Sequence, residues 1–415
     1  MKLFSKRKAC QTILPKNFSI SFICIFLIFC MSSISYAKTP DIYPVDIPTE
    51  SFWFDEAIPS VNFNPEYDTR AFILMEASTG KILCSSNENI HLPIASVTKI
   101  MSTLLIVEAI DSGKIALSDI VCVSEYASSM GGSQVFLEPG EKMSVDDLLK
   151  SLIVVSANDA AVALAEHIYG SASVFVQTMN EKAKELGMVN TNFINTTGLD
   201  EENHYSSALD VAIMTRELLK HELIFKYTCI WMDTIRNGAF GLSNTNRLVR
   251  FYDGANGMKT GFTDKAKYCL SGTAKRNDMQ LIAVVLGAET SNERFAVTKS
   301  LLDYGFANYN VFTPQKLNIE NLNVDGGEKT SVSVDYNPKS LLLKKGEMEK
   351  IEQKAVLESN LVAPVKKGQV IGKIIYSMNG AEIGETAVTA SENIKKVSSF
   401  IIFTKIWSGI LQGIF

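Results

Sequence analysis

Residues 96–107, SVTKIMSTLLIV, constrain the rest of the chain more than any other stretch. They leave no polar face, so a helix over residues 96–110, stopping near Asp111-Ser112-Gly113, must lie inside a core rather than on a surface. Lys99 is the only charge in the run. A buried ammonium is costly, and burial pushes a lysine toward the neutral amine. Ser96 sits one turn back on the same side of the helix. A hydroxyl beside a deprotonated amine is an activated nucleophile. A capping serine with a lysine reaching out to solvent is the competing reading.

Around this helix the periodicity changes twice. Residues 71–75 and 81–84 read as short strands about the turn Ser78-Thr79-Gly80. Ser144 and Asp147 read as the cap of a helix over 145–152, Ser156-Ala157-Asn158 interrupts the apolar run, and 159–168 resumes it. Phe175, Met179, Ala183 and Leu186 recur at helical spacing before Gly187, and another helix covers 208–220. Strand character returns at 268–274 and 279–286, followed by a helix over 295–304 that Gly305 ends. Strands at both ends with helices between them predict an α+β domain: one antiparallel sheet built from both ends, with a helical insert.

The termini differ from this domain, expected over residues 67–310. Lys2, Lys6, Arg7, Lys8 and Lys16, an apolar run over 20–31, and Ser35-Tyr36-Ala37 have the layout of an export signal cut after residue 37. An uncleaved anchor is the alternative, although the run is short for a span. Residues 38–66, with Pro40, Pro44, Pro48, Pro59 and Pro65, read as an extended lead-in. Residues 311–390 carry short alternating strands, a second, smaller β domain. In residues 391–415, Val397, Phe400, Phe403, Trp407, Ile410, Leu411 and Ile414 form an apolar stripe with Lys395, Lys396 and Lys405 off its centre. Such a basic amphipathic helix suits the plane of a bilayer surface; docking on the β domain is the other possibility.

Composition excludes more than it assigns. A net charge of -5 gives no reason to expect nucleic acid as a partner. His91, His167, His204 and His221 have no ligand spacing, so neither a metal nor another cofactor is expected. Export would remove Cys10, Cys24 and Cys30. Cys84, Cys122, Cys229 and Cys269 then remain; they read as buried thiols, with three disulfide pairings open.

Three short motifs carry the chemistry. Of the four S-x-x-K matches (the others are Ser5-Lys8, Ser35-Lys38 and Ser78-Lys81), only Ser96-Lys99 opens a buried helix, where the Ser96 amide is a free donor. Ser156-Ala157-Asn158, unlike the S-x-N matches at Ser85 and Ser391, lies between helical segments, where polar groups line a cleft or complete a buried network. Lys259-Thr260-Gly261 occurs once; Gly261 would let a substrate backbone approach, unless the tripeptide is an ordinary strand edge.

Taken in this order, S-x-x-K, S-x-N and K-T-G are the signature of active-site-serine penicillin-recognising enzymes. With the surrounding text (PIASVTKIM at 93–101, GSQVF at 132–136, NTTGLD at 195–200, GMKTGFT at 257–263) the chain resembles low-molecular-mass penicillin-binding proteins, serine-type D-alanyl-D-alanine carboxypeptidases. The resemblance covers about residues 65–310, extends loosely beyond, and is nearest to the sporulation-associated members of Gram-positive spore formers. It implies a β-lactamase/transpeptidase-like fold, a peptidoglycan stem ending in D-Ala-D-Ala as substrate, β-lactams as acylating ligands, and a place on the outer face of the cytoplasmic membrane. By the same resemblance Ser96 is the nucleophile, Lys99 its base, and Ser156 the proton relay to the leaving D-alanine. Asn158 holds the peptide amide, Lys259 supplies positive potential, and Thr260 meets the terminal carboxylate. Gly261 and Phe262 complete the substrate strand, and the amides of Ser96 and Phe262 form the oxyanion hole. For Arg294 two readings stay open, a charge for the substrate carboxylate and a surface helix arginine. A class A β-lactamase is disfavoured because no E-x-x-L-N segment lies between Asn158 and Lys259. A transpeptidase would share the acyl-enzyme, and a catalytically silent peptidoglycan-binding protein would share the residues without the chemistry.

Overall fold

A computed structural model describes residue 63 and residues 65–347 and 351–398. The expected export signal, nearly all of the lead-in and residues 399–415 lie outside the described residues.

The central sheet has five strands, β1 (Ala71–Glu76), β2 (Ile82–Ser86), β3 (Ala255–Thr263), β4 (Lys267–Arg276) and β5 (Met279–Ala288). Their order is β2-β1-β5-β4-β3, and every pairing is antiparallel. The first strand therefore lies beside the last, Phe72 opposite Val285, which is the sheet predicted from both ends of the domain. Side chains alternate across a strand, so β1 serves two cores at once. Ala71, Ile73 and Met75 join the core beneath the helical insert, while Phe72 and Leu74 join the core on the opposite face.

Between β2 and β3 run α1 (Lys99–Asp111), α2 (Val145–Val154), α3 (Asn158–Tyr169), α4 (Ala172–Glu185) and α5 (Ala208–Leu218). As its composition demands, α1 is buried continuously from Lys99 to Val107. Ser144, Ser171 and Ser207 cap α2, α4 and α5 by accepting the N–H three residues on. On the far face of the sheet lies α6 (Ser291–Asn308), opened by a Thr290–Glu293 capping box. Gly305 does not end this helix. A Cβ there would stand 2.6 Å from Leu281 Cδ1, so the glycine lets α6 approach the sheet.

The second domain begins after Asn308, where Tyr309–Phe312 pairs with Leu341–Lys344. Its main sheet orders Val334–Asp335, Ala381–Ala390, Val370–Met378 and Ile351–Leu357 over a core that includes Val332, Ile371, Ile374, Tyr376 and Val388. The domain also continues past 390. Ile394 bridges Val365, Lys396 bridges Gly327, and the Val397 N–H donates to the Gly326 carbonyl. A helix therefore does not start at Ser391, because backbone groups of this stretch already bond across the β domain; the remainder of the expected amphipathic segment lies outside the described residues. Among the described residues no helix is long and apolar enough to cross a membrane.

All four described cysteines are free, but only Cys84 and Cys269 are buried. Cys122 is exposed because Ile120–Cys122 alternates outward-inward-outward with Val121 in the core, and Cys229 is exposed as well. This corrects the expectation of four buried thiols.

Candidate active site

A tight 3-10 turn, Ala95–Thr98, leads into α1 and presents Ser96 half-buried beside the fully buried Lys99. Lys99 Nζ stands 2.8 Å from Ser96 Oγ and donates to the Thr197 carbonyl at 2.8 Å. Burial, and then the charge of Lys259, hold the Lys99 amine well below the ordinary lysine range, with Asp159 opposing weakly. A neutral amine that donates to Thr197 is left with its lone pair for the Ser96 hydroxyl. That is the arrangement a general base requires.

The acceptor carbonyl belongs to a turn built by one side chain. Asn195 Oδ1 accepts from the Thr197 N–H at 3.1 Å, the Thr197 hydroxyl at 3.2 Å and the Gly198 N–H at 2.7 Å. Gly198 closes the turn at φ +82°, and a Cβ on it would lie 1.8 Å from the Ala95 carbonyl oxygen. The Ser102 hydroxyl donates to Thr196 O at 2.7 Å, so α1 grips the turn twice.

The break between α2 and α3 forms another wall. Ser156 is held at φ +65°. The Asn158 N–H donates to Ser133 O at 2.7 Å and its Nδ2 to Gly131 O at 2.6 Å. Behind it the buried Asp159 carboxylate accepts from Val135 N–H at 3.0 Å and Leu137 N–H at 3.1 Å, fixing the GSQVF loop. Ser156 Oγ and Asn158 Oδ1 are buried without a hydrogen-bond partner in the protein. Buried polar atoms are normally satisfied, so these two can still take a partner from a bound ligand.

The third wall is β3, at the edge of the sheet. A Cβ on Gly261 would stand 2.7 Å from Ile94 O and 3.1 Å from the amide nitrogens of Ser96 and Val97. The close approach of the Ser96 turn itself therefore requires that Gly261 carry no side chain, a contact that the sequence does not show. Lys259 is buried, donates to Thr260 O at 2.9 Å, and is brought down to about 7 by burial and the nearby Arg294. The Thr260 hydroxyl donates to Thr245 Oγ1 at 2.7 Å, and the Thr245 N–H donates to Val154 O at 3.1 Å, joining β3 to the end of α2. Phe262 is half-exposed and lies on Tyr268, ring centroids 4.4 Å apart.

Arg294 is not a surface residue. It is 6% exposed, and its Nη1 donates to the carbonyls of Gly261 and Cys269, both at 3.1 Å, pinning β3 and β4 to α6. Of the decoy motifs, Ser78 donates to Glu76 in the β1–β2 turn, and Ser391 lies in the β domain. Among the described residues no three His, Cys, Asp or Glu side chains cluster as a metal site would require. Motif reading missed Thr197, Asp159 and Thr245. Thr197 acts through a backbone carbonyl, which no residue type announces. The positive-φ Gly198 beside it was the available signal.

Known proteins resemble this chain over most of its length. A family description for D-alanyl-D-alanine carboxypeptidase matches residues 59–290, and one for the penicillin-binding protein 5 C-terminal domain matches residues 310–396. The chain is 47% identical over 346 residues to the D-alanyl-D-alanine carboxypeptidase DacF of Bacillus subtilis, covering 82% of this chain and 89% of that one. It is 35% identical over 359 residues to DacC of Escherichia coli, covering 84% and 89%. The crystal structure of penicillin binding protein 5 from Haemophilus influenzae superposes with a TM-score of 0.71 at 34% identity, over 80% of this chain and 99% of that one. A buried lysine on a serine, the S-x-N wall and the K-T-G edge strand therefore stand in a chain that belongs to the D-alanyl-D-alanine carboxypeptidase family.

Proposed function

We propose that the protein removes the terminal D-alanine from peptidoglycan stem peptides ending in D-Ala-D-Ala, through an acyl-enzyme on Ser96, and that β-lactams acylate the same serine. The observation that carries this is the 2.8 Å approach of a buried, charge-depleted Lys99 amine to Ser96 Oγ. Lys99 takes the hydroxyl proton as Ser96 Oγ bonds to the carbonyl carbon of the penultimate D-alanine. The oxyanion that forms is met by the Ser96 and Phe262 amides. The C–N bond then breaks, Ser156 passes a proton to the departing amine, and D-alanine leaves. Water hydrolyses the remaining ester. Asn158 offers its unpartnered Oδ1 to the substrate amide. Lys259 and Thr260 receive the terminal carboxylate beside Gly261, whose close packing on the Ser96 turn keeps the strand in register with the nucleophile.

The test is release of free D-alanine from a peptide ending in L-Lys-D-Ala-D-Ala by the chain lacking residues 1–37, against a Ser96→Ala twin. One D-alanine per peptide, lost in the twin, is the expected result. Well-folded protein that releases none overturns the proposal.

The same reading places the protein outside the cytoplasm: residues 1–37 direct export, residues 67–310 and 311–390 approximate the catalytic and β domains, and the stripe around Trp407 holds the chain on the outer membrane face. Flotation with anionic lipid vesicles tests the anchor. The chain should float, and a truncation after Ser398 should not; equal flotation of both refutes the anchor.

A further inference from the structure

His204 lacks any metal-ligand spacing, and the carboxypeptidase chemistry above does not use it. Its ring is 6% exposed and edge-on to Phe193, centroids 5.9 Å apart. The Ile194 N–H donates to Nδ1 at 3.1 Å, and Nε2 stands 2.8 Å from Thr98 Oγ1. Because Nδ1 accepts, the ring proton is on Nε2, which donates to the Thr98 hydroxyl. Burial pushes the imidazole down to about 4, so this neutral tautomer persists over the working pH range.

The two partners of the ring belong to the two segments that meet at the Lys99 amine. Thr98 belongs to the turn between nucleophile and base. Ile194 is the residue before the Asn195–Gly198 turn that offers the Thr197 carbonyl to Lys99. We infer that His204 is a positioning residue for the general base: it ties the Thr197 carbonyl to the Ser96–Lys99 turn, and so fixes the direction in which the Lys99 lone pair faces the serine. The inference rests on the carboxypeptidase reading. Without the ring, the segment entering the 195–198 turn loses one backbone anchor and the catalytic turn loses one side-chain anchor. The turn remains attached through Ser102, but its carbonyl is free to drift. A base that loses its fixed acceptor samples unproductive directions and admits water. Acylation slows, while substrate contacts on β3 and Asn158 are untouched. Water beside Lys99 also relieves its desolvation, which moves its titration upward; the other charges acting on the amine, Lys259 and Asp159, stay in place.

Three variants separate the two anchors. In His204→Gln the amide nitrogen can reach Thr98; in His204→Asn the amide oxygen can accept from Ile194; His204→Ala makes neither bond. The full chain and each variant are matched for folded fraction, then compared for acylation by a chromogenic β-lactam and for D-alanine release across pH. The expected result for His204→Ala is a fall of about tenfold to a hundredfold in acylation and kcat, KM within twofold of the parent, and an upward move of the rising pH limb. Gln and Asn should each recover part of the rate. If Ala does not fold, the Gln and Asn variants carry the same comparison. Lower thermal stability with an unchanged rate per folded molecule and an unmoved pH limb would overturn the inference, leaving His204 a purely structural residue. An unsubstituted chain that is never acylated would instead refute the carboxypeptidase reading, and the parent sample alone reveals that.

Discussion

Lys99→Met should abolish useful acylation while leaving the protein folded and, near neutral pH, more stable. Losing a positioned general base costs about 10²–10⁴-fold, and methionine fills a similar buried volume without an amine. The stability effect has a definite sign. Because the folded-state amine is held well below its ordinary value, the unfolded chain binds one more proton than the native chain over the interval between, and stability rises with pH there. The penalty is therefore greatest at low pH and disappears as pH climbs toward the ordinary lysine range. Replacing the amine removes that dependence, so the stability gain of Lys99→Met should shrink steadily with pH. The rate has a related profile. Activity should rise with pH as Lys99 yields its proton and fall above about 7 as the free enzyme loses the Lys259 charge that we propose receives the carboxylate. The two lysines influence one another, so both limbs belong to the pair. Thermal melts of both proteins across pH, with stopped-flow β-lactam acylation, check this. A Lys99→Met protein that acylates within about tenfold of the parent, less than the loss of a general base should cost, would remove Lys99 from the mechanism.

Gly198→Ala is expected to be the most damaging single-methyl change near the site. The residue sits at φ +82°, where an L side chain costs about 1–2 kcal/mol, and the added carbon would lie 1.8 Å from the Ala95 oxygen and 2.8 Å from Thr98 Oγ1. A backbone oxygen cannot rotate away, so the 195–198 turn must lift from the Ser96 turn. Overpacking of this kind adds about 1–3 kcal/mol, and a displacement near 1 Å at the base can cost about 10²-fold in rate. Chemical denaturation and acylation kinetics should show both losses. Gly113→Ala, at φ +73° with open space around it, is the control: backbone strain alone, with acylation preserved.

Much of this was legible in the sequence because apolar patterning is local. The unbroken apolar run around Lys99 demanded a buried helix, the interruption at Ser156 marked the break between α2 and α3, and strands at both ends of the domain implied the sheet that pairs β1 with β5. What stayed hidden depends on contacts between distant segments. Nothing local announces that Gly261 packs on the Ser96 turn; 165 residues separate the two in sequence (261 − 96). Arg294 looked like a surface residue because it sits in the polar first turns of α6, yet those turns lie over the carbonyls of Gly261 and Cys269. Gly305 looked like a helix stop because the pattern cannot show that Leu281 presses against it.

The most direct test of the central claim is the intact mass of the protein after brief exposure to benzylpenicillin, followed by peptide mapping of the adduct. The account predicts one penicilloyl group per chain, on the peptide containing Ser96, and none on Ser96→Ala. An adduct on another serine, or a folded protein that takes up none, would contradict it.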